Sequence, residues 1–151
     1  MKNIVVVDID GTLSKVGDRL KYLKHEPVDW DSFYDSCFED EPIREIIDLV
    51  KFLRGKYMIV YCTGRRESVR EITKRWLAKH IQGNEFAILD DFLIMRPNDD
   101  KRHDIHVKPE QLIKSGWDIN RIAFVLEDRD SMVKKWREMG IKCLQVAEGD
   151  F

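Results

Sequence analysis

The segment Ile4-Val5-Val6-Val7-Asp8-Ile9-Asp10-Gly11-Thr12-Leu13 opens the chain with an apolar run that ends in acid. Consecutive β-branched residues without polar alternation read as a strand buried on both faces, the pattern of parallel sheets. Asp8 and Asp10 follow at its C-terminal end, the edge at which open α/β sheets bind their ligands. If the strand continued, the two carboxylates would share a face. Like charges converging there call for a cation, and carboxylate oxygens suit Mg²⁺. Gly11 lets the chain leave the strand sharply, and Thr12 adds a hydroxyl and a backbone N–H. A bare Asp-Gly turn in solvent would have no use for the apolar run before it.

Working outward, strand-like and helix-like stretches alternate. Pro42–Arg54 carries Ile43, Ile46, Ile47, Val50 and Leu53 at helical spacing, with Gly55 as its stop. Tyr57–Cys62 reads as a strand ending at Thr63-Gly64-Arg65, and Ser68–His80 as a basic amphipathic helix. Phe86–Leu89 and Phe92–Met95 are short apolar runs expected to be strands. Pro109 suits the first turn of a helix running to about Ser115, which leaves Arg96–Val107 as loop. Ile122–Leu126 is a buried strand ending at Glu127-Asp128, Asp130–Met139 a helix, and Ile141–Val146 a last strand. Buried strands alternating with helices predict an α/β fold: a three-layer, Rossmann-like parallel sheet. Residues 14–41 break the rhythm. They are polar and aromatic and follow the first strand directly, so they are expected to form a small lid over the site within a single domain, residues 1–151.

Bulk properties narrow the function. The 151 residues are 43% hydrophobic and 36% charged, which is a globular composition. A net charge of −2 excludes a global basic field that recruits polyanions, so any nucleic-acid contact must be local. No apolar run approaches a membrane span, and Met1 runs straight into the first strand, so neither a membrane role nor a signal peptide is expected. Cys37, Cys62 and Cys143 are odd in number and lack Cys-x-x-Cys spacing, as expected of buried thiols in a cytoplasmic protein.

Four groups of polar residues fall at element ends. Asp8 and Asp10 offer a nucleophile and a second carboxylate for proton transfer. Thr63, Gly64 and Arg65 are expected at a helix N-terminus, where free N–H groups favour an anion. Lys108 offers a neutralising cation, and Glu127 and Asp128 offer acidic metal ligands. A phosphomonoester needs all of these parts.

In order along the chain, these groups resemble the four motifs of the haloacid dehalogenase (HAD) superfamily of phosphohydrolases. That resemblance implies attack on phosphorus by Asp8, proton transfer by Asp10, and a phosphoryl group held by Thr63 and Lys108. It also implies Mg²⁺ held by the Asp8 carboxylate, the Asp10 carbonyl and Asp128, with Glu127 acting through water. A narrower likeness rests on Arg19, Thr63-Gly64-Arg65, Met95-Arg96, Asp104, Val107-Lys108, Glu127-Asp128-Arg129, Trp136-Arg137 and the final Gly149-Asp150-Phe151. It is similar to the 3′-phosphatase domain of the phage T4-type polynucleotide kinase–phosphatase family. This implies substrate contacts from Arg19, Gly64, Arg65 and Asp104, and nucleic-acid 3′ ends, DNA or RNA, as substrate in a repair role. Two departures stand out: no Gly-x-x-x-x-Gly-Lys-Ser/Thr loop is present, and the last motif is Glu-Asp where the relative has Asp-Asp.

The leading expectation is therefore a Mg²⁺-dependent polynucleotide 3′-phosphatase, with no obligate protein partner evident. A nucleotidase on free (deoxy)nucleoside monophosphates is the rival reading, and a non-catalytic phosphate-binding protein a lesser one. Arg66, Arg70, Lys74 and Lys79 are read as a solvated face because Glu67 and Glu71 intersperse them. His103 and His106 are read as solvated rather than as a metal pair. Trp30, Phe33, Tyr34 and Phe38 are read as lid packing, with one of them able to stack on a base.

Overall fold

The computed structural model describes residues 1–83 and 90–150; the strand expected at Phe86–Leu89 lies outside them. A five-stranded, wholly parallel sheet forms the middle layer. It contains β1 (Ile4–Val7), β4 (Met58–Arg66), β5 (Leu93–Arg96), β6 (Ile122–Glu127) and β7 (Cys143–Gln145) in the order β5-β4-β1-β6-β7. β1 is central, which is why its residues are apolar on both faces. Val5 and Val7 face one layer of core, which holds Val50, Trp76 and Leu77 from α2 (Arg44–Leu53) and α3 (Arg70–Leu77). Ile4 and Val6 face the other, which holds Leu112, Met132 and Trp136 from α4 (Asp104–Lys114) and α5 (Asp130–Glu138). Alternate side chains of one strand thus build the two sides of the three-layer α/β architecture.

Residues 14–41 leave and re-enter this frame at one point. β2 (Ser14–Lys15) pairs antiparallel with β3 (Glu41–Pro42), closing the segment at its base. Between them lie a 3₁₀ stretch (Gly17–Lys24), the short helix α1 (Trp30–Asp35) and a 3₁₀ turn (Ser36–Glu39). The cysteines Cys37, Cys62 and Cys143 are free and buried. No described helix is long and apolar enough to cross a membrane.

Two expectations about element ends need correction. The helix carrying Lys108 does not begin at Pro109; it begins at Asp104, capped by His103, whose Nδ1 accepts from the Ile105 amide at 3.3 Å. Pro109 is therefore internal, where its ring removes one helical hydrogen bond, and Lys108 projects inward from the second turn. Thr63-Gly64-Arg65 is also not a helix N-terminus. β4 continues through Arg66, which pairs with Arg96, and α3 starts only after a 3₁₀ turn at Glu67–Val69. Burial of the Arg65 side chain holds this stretch extended beyond the point at which the apolar run stops.

Candidate active site

All the polar groups singled out in the sequence lie at the C-terminal edge of the sheet, but they sort into three clusters rather than one. β1 stops at Val7, and Asp8 and Asp10 do not share a strand face. The Asp8 amide still donates to the Leu126 carbonyl at 3.0 Å. The chain then coils around the Ile9 carbonyl, which accepts from the amides of Thr12, Leu13 and Ser14. Gly11 makes that coil possible with a φ of +87°.

The first cluster holds Asp8, Lys108, Glu127 and Asp128, all buried. Lys108 Nζ lies 2.6 Å from Asp8 Oδ1 and 2.9 Å from Glu127 Oε2. The Thr12 hydroxyl lies 3.0 Å from Asp8 Oδ2 and 3.3 Å from Asp128 Oδ1. Burial and the nearby Glu127 charge push the Asp8 carboxyl up to about 7, although Lys108 pulls the other way. Burial and the facing Asp8 push Asp128 up to about 6. The Lys108 ammonium is held well above its ordinary value; burial opposes this, and the charges of Asp8 and Glu127 outweigh it.

Oxygens of Asp8, Glu127 and Asp128 all lie within 4.8 Å of one another. Three buried carboxylates against one ammonium leave an excess of negative charge, which adds to burial in pushing the Asp8, Glu127 and Asp128 carboxyls up. Hard oxygen donors in that number fit a divalent cation. Gly11 fits the same picture, since a Cβ there would stand 2.1 Å from Asp128 Oδ2. The Asp10 side chain is not a member of this acidic group.

Asp10 instead belongs to a second cluster built from two arginines. Arg65 Nη2 lies 2.6 Å and Arg19 Nη2 2.8 Å from Asp10 Oδ1. Burial works to raise the Asp10 carboxyl, but Arg65 and Arg19 hold it far below the usual carboxylate range. Both arginines are buried, Arg19 3% and Arg65 0% exposed, and their guanidiniums are engaged by carboxylates of the protein itself. Their second acceptor is Asp40, to which Arg19 donates from Nε at 2.7 Å and Nη2 at 2.6 Å, and Arg65 from Nη2 at 3.1 Å. The Trp76 indole donates to the Asp40 carbonyl at 2.9 Å, fixing the residue to α3.

Sequence reasoning missed Asp40. It stands in no motif; the one signal in the sequence is the pair Arg19 and Arg65, two cations that need a further carboxylate beside Asp10 once they are buried.

The third cluster lies beside Gly64, whose carbonyl accepts from Arg96 Nε at 3.1 Å. Arg96 also pairs with Asp104, and Asp104 accepts from Arg129 Nη1 at 3.0 Å. A Cβ on Gly64 would stand 2.7 Å from Asp104 Oδ1, so the glycine allows this close approach. Thr63 is buried, and its Oγ1 accepts from the Arg65 amide at 3.2 Å. The Gly149 end of the chain supports the Glu127-Asp128 loop. Gln145 Nε2 donates to the Asp128 carbonyl at 2.9 Å, and Gly149 packs where a Cβ would meet that same oxygen at 2.5 Å.

Known proteins resemble this chain in sequence and fold. The family described as the polynucleotide kinase PNKP phosphatase domain matches residues 2–151. A structure of the Pnkp1/Rnl/Hen1 complex is similar at 30% identity with a TM-score of 0.79, covering 100% of this chain and 48% of the other. A structure of the Pnkp1/Rnl/Hen1 RNA repair complex is similar at 29% identity and a TM-score of 0.79, covering 99% and 44%. This chain therefore spans about half the length of those relatives. The class C acid phosphatase from Bacillus anthracis shares the fold, with 18% identity, a TM-score of 0.66 and coverage of 99% and 68%. The chain is a HAD-superfamily phosphatase and belongs to the family of the polynucleotide kinase PNKP phosphatase domain.

Proposed function

We propose that this protein removes the 3′-phosphate from nucleic-acid ends through a covalent phosphoaspartate on Asp8, and that it requires Mg²⁺. The observation that carries the reading is the division of labour between the two aspartates. Asp8 sits among Lys108, Glu127 and Asp128, where a phosphoryl group and a cation can be balanced. Asp10 is clamped apart from it by Arg19 and Arg65.

In the first step an Asp8 oxygen bonds to phosphorus as the bond to the leaving 3′-oxygen breaks, and that oxygen takes a proton from Asp10. In the second, water attacks the phosphoaspartate, gives a proton to Asp10, and releases phosphate with Asp8 restored. Lys108 neutralises Asp8 and the phosphoryl oxygens, and Thr63 is assigned to hold the phosphoryl group. Asp8, Asp128 and the Asp10 carbonyl would hold Mg²⁺, with Glu127 in support. Bound there, the ion would screen these carboxylates and favour the negative phosphoryl oxygens.

The two arginines keep Asp10 ionised, the form the second step needs, while lowering its basicity. For the first it must take up a proton, which the negative charge of an incoming phosphate beside it favours. Arg19 and Arg65 thus act through Asp10, while Gly64 and Asp104 shape the adjacent wall of the site.

The family match and the likeness to Pnkp1 support a polynucleotide substrate. Those relatives come from complexes with Rnl and Hen1, one of them described as an RNA repair complex. We extend this to RNA as well as DNA ends, and to work alongside protein partners in place of the partnerless expectation. The test is phosphate release from 3′-phosphorylated oligonucleotides, 5′-phosphorylated oligonucleotides and mononucleotides, compared by kcat/KM. The 3′-phosphorylated oligomers should be preferred. Faster cleavage of 5′-mononucleotides would establish the nucleotidase reading instead.

A further inference from the structure

The inserted segment carries an aromatic ladder that the chemistry at Asp8 does not use. Trp30 and Tyr34 lie one turn apart on α1 with rings stacked, 6.2 Å between centroids and 24° between planes. The next residue inward, Phe33, accepts through its carbonyl from Arg19 Nη1 at 3.0 Å, and Arg19 in turn holds Asp10. One guanidinium therefore separates α1 from the proton-transfer carboxylate. The Tyr34 ring faces the Arg66 guanidinium at 5.1 Å, and its phenol lies in the field of Arg66, Arg96, Asp10 and Asp104. That places Tyr34 on the site side of the ladder.

Trp30 is the outer rung. It is 43% exposed, although α1 could have buried it as it buries Phe33. Neither the Trp30 indole N–H nor the Tyr34 hydroxyl has a hydrogen-bond partner among the described residues. Arg66 is held on its outer side only by Asp31, at 3.8 Å and 93% exposed, a loose surface pair of little worth. A flat exposed indole, the Tyr34 ring beneath it and the Arg66 guanidinium on that ring stand along α1, which Arg19 ties to Asp10.

We propose that Trp30, backed by Tyr34, stacks on the terminal base of the 3′-phosphorylated strand, and that Arg66 meets the adjoining backbone phosphate. In a 3′-phosphorylated strand the sugar alone links the terminal base to the terminal phosphate, so a base held on α1 and a phosphate presented to Asp8 would belong to one nucleotide. This site rests on the polynucleotide reading and adds to it a preference for an end that carries a base. Stacking of this kind tolerates any base because every base has a π-face.

The test uses two 3′-phosphorylated oligonucleotides of equal length, one with a base and one abasic at the terminal nucleotide. Trp30→Ala should lower kcat/KM about tenfold on the base-bearing end and less than about twofold on the abasic end. Trp30→Phe, which keeps an aromatic face, should recover most of the loss. Equal losses on both ends, or a Trp30→Phe enzyme as impaired as Trp30→Ala, would assign Trp30 to packing and overturn the proposal. Wild-type enzyme that prefers 5′-mononucleotides to either oligomer overturns the polynucleotide reading and this site together. Wild type that prefers the oligomers, with Trp30→Ala fully active on them, overturns this site alone.

Discussion

Among the described residues, Lys108 is the one cation in contact with both Asp8 and Glu127, so its charge bears directly on the proposed nucleophile. Lys108→Met keeps the apolar stem and removes that charge. It should lower kcat about a hundredfold or more, as loss of a preorganised charge contact does. A change confined to KM, read by steady-state kinetics, would make Lys108 a uniform binding residue. Gly11 bears on the metal in the same way. Because a Cβ would overlap Asp128 Oδ2 and φ is positive, Gly11→Ala should weaken Mg²⁺ binding about tenfold or more, measured by calorimetry. Unaltered affinity would remove Asp128 from the ion's ligands. Asp8, Asp10, Glu127 and Asp128 stand out in the sequence because each follows an apolar run, whereas Lys108 follows a polar stretch and stands out only by its place before Pro109. Asp40 does not stand out, since its role exists only once Arg19 and Arg65 are both buried.

The inserted segment is fastened to the frame by charge as well as by the β2–β3 pair. Asp40, at its close, bridges Arg19 from the segment and Arg65 from β4. Asp40→Asn would leave two buried guanidiniums facing Asp10 alone. Removing one member of a buried ionic group costs about 3 kcal/mol or more. Urea unfolding at neutral pH should register that loss, and an unmoved midpoint would mean the network adds nothing to stability. Element by element, the sequence was most readable where a strand is buried on both faces, as in β1 and β6. It was least readable where side-chain chemistry set the boundary. Arg65 extends β4 past its apolar run, and His103 starts α4 a full turn before the proline that imitates a helix start.

Over the whole molecule, the acidic cluster should make the metal-free protein lose stability as pH rises toward neutrality. Asp8 and Asp128 are pushed up from 3.8 to about 7 and about 6, so the folded state holds protons that the unfolded chain has released. Stability is then fullest below pH 3.8 for these groups and is lost as pH rises through 6 and 7. Asp10, Asp29, Asp90, Asp100, Asp104 and Glu110 are lowered and gain stability as pH rises to their ordinary values, a gain complete by about pH 5, and His80, lowered by partial burial, opposes the fall up to its own ordinary value. The melting temperature of chelated protein should therefore fall between about pH 5 and pH 7, and saturating Mg²⁺ should cancel the fall. A melting temperature that rises over that range, with or without Mg²⁺, would remove the excess buried charge from the account. The covalent step itself can be observed most directly in an Asp10→Asn variant. With an activated ester whose leaving group needs no proton, this variant should accumulate phosphoprotein because hydrolysis has lost its base. Intact-protein mass spectrometry should show the gain of one phosphoryl group, peptide mapping should locate it on Asp8, and Asp8→Asn should abolish it. Turnover of the same ester by wild type with no phosphoryl group on Asp8 in the Asp10→Asn protein would contradict catalysis through a phosphoaspartate.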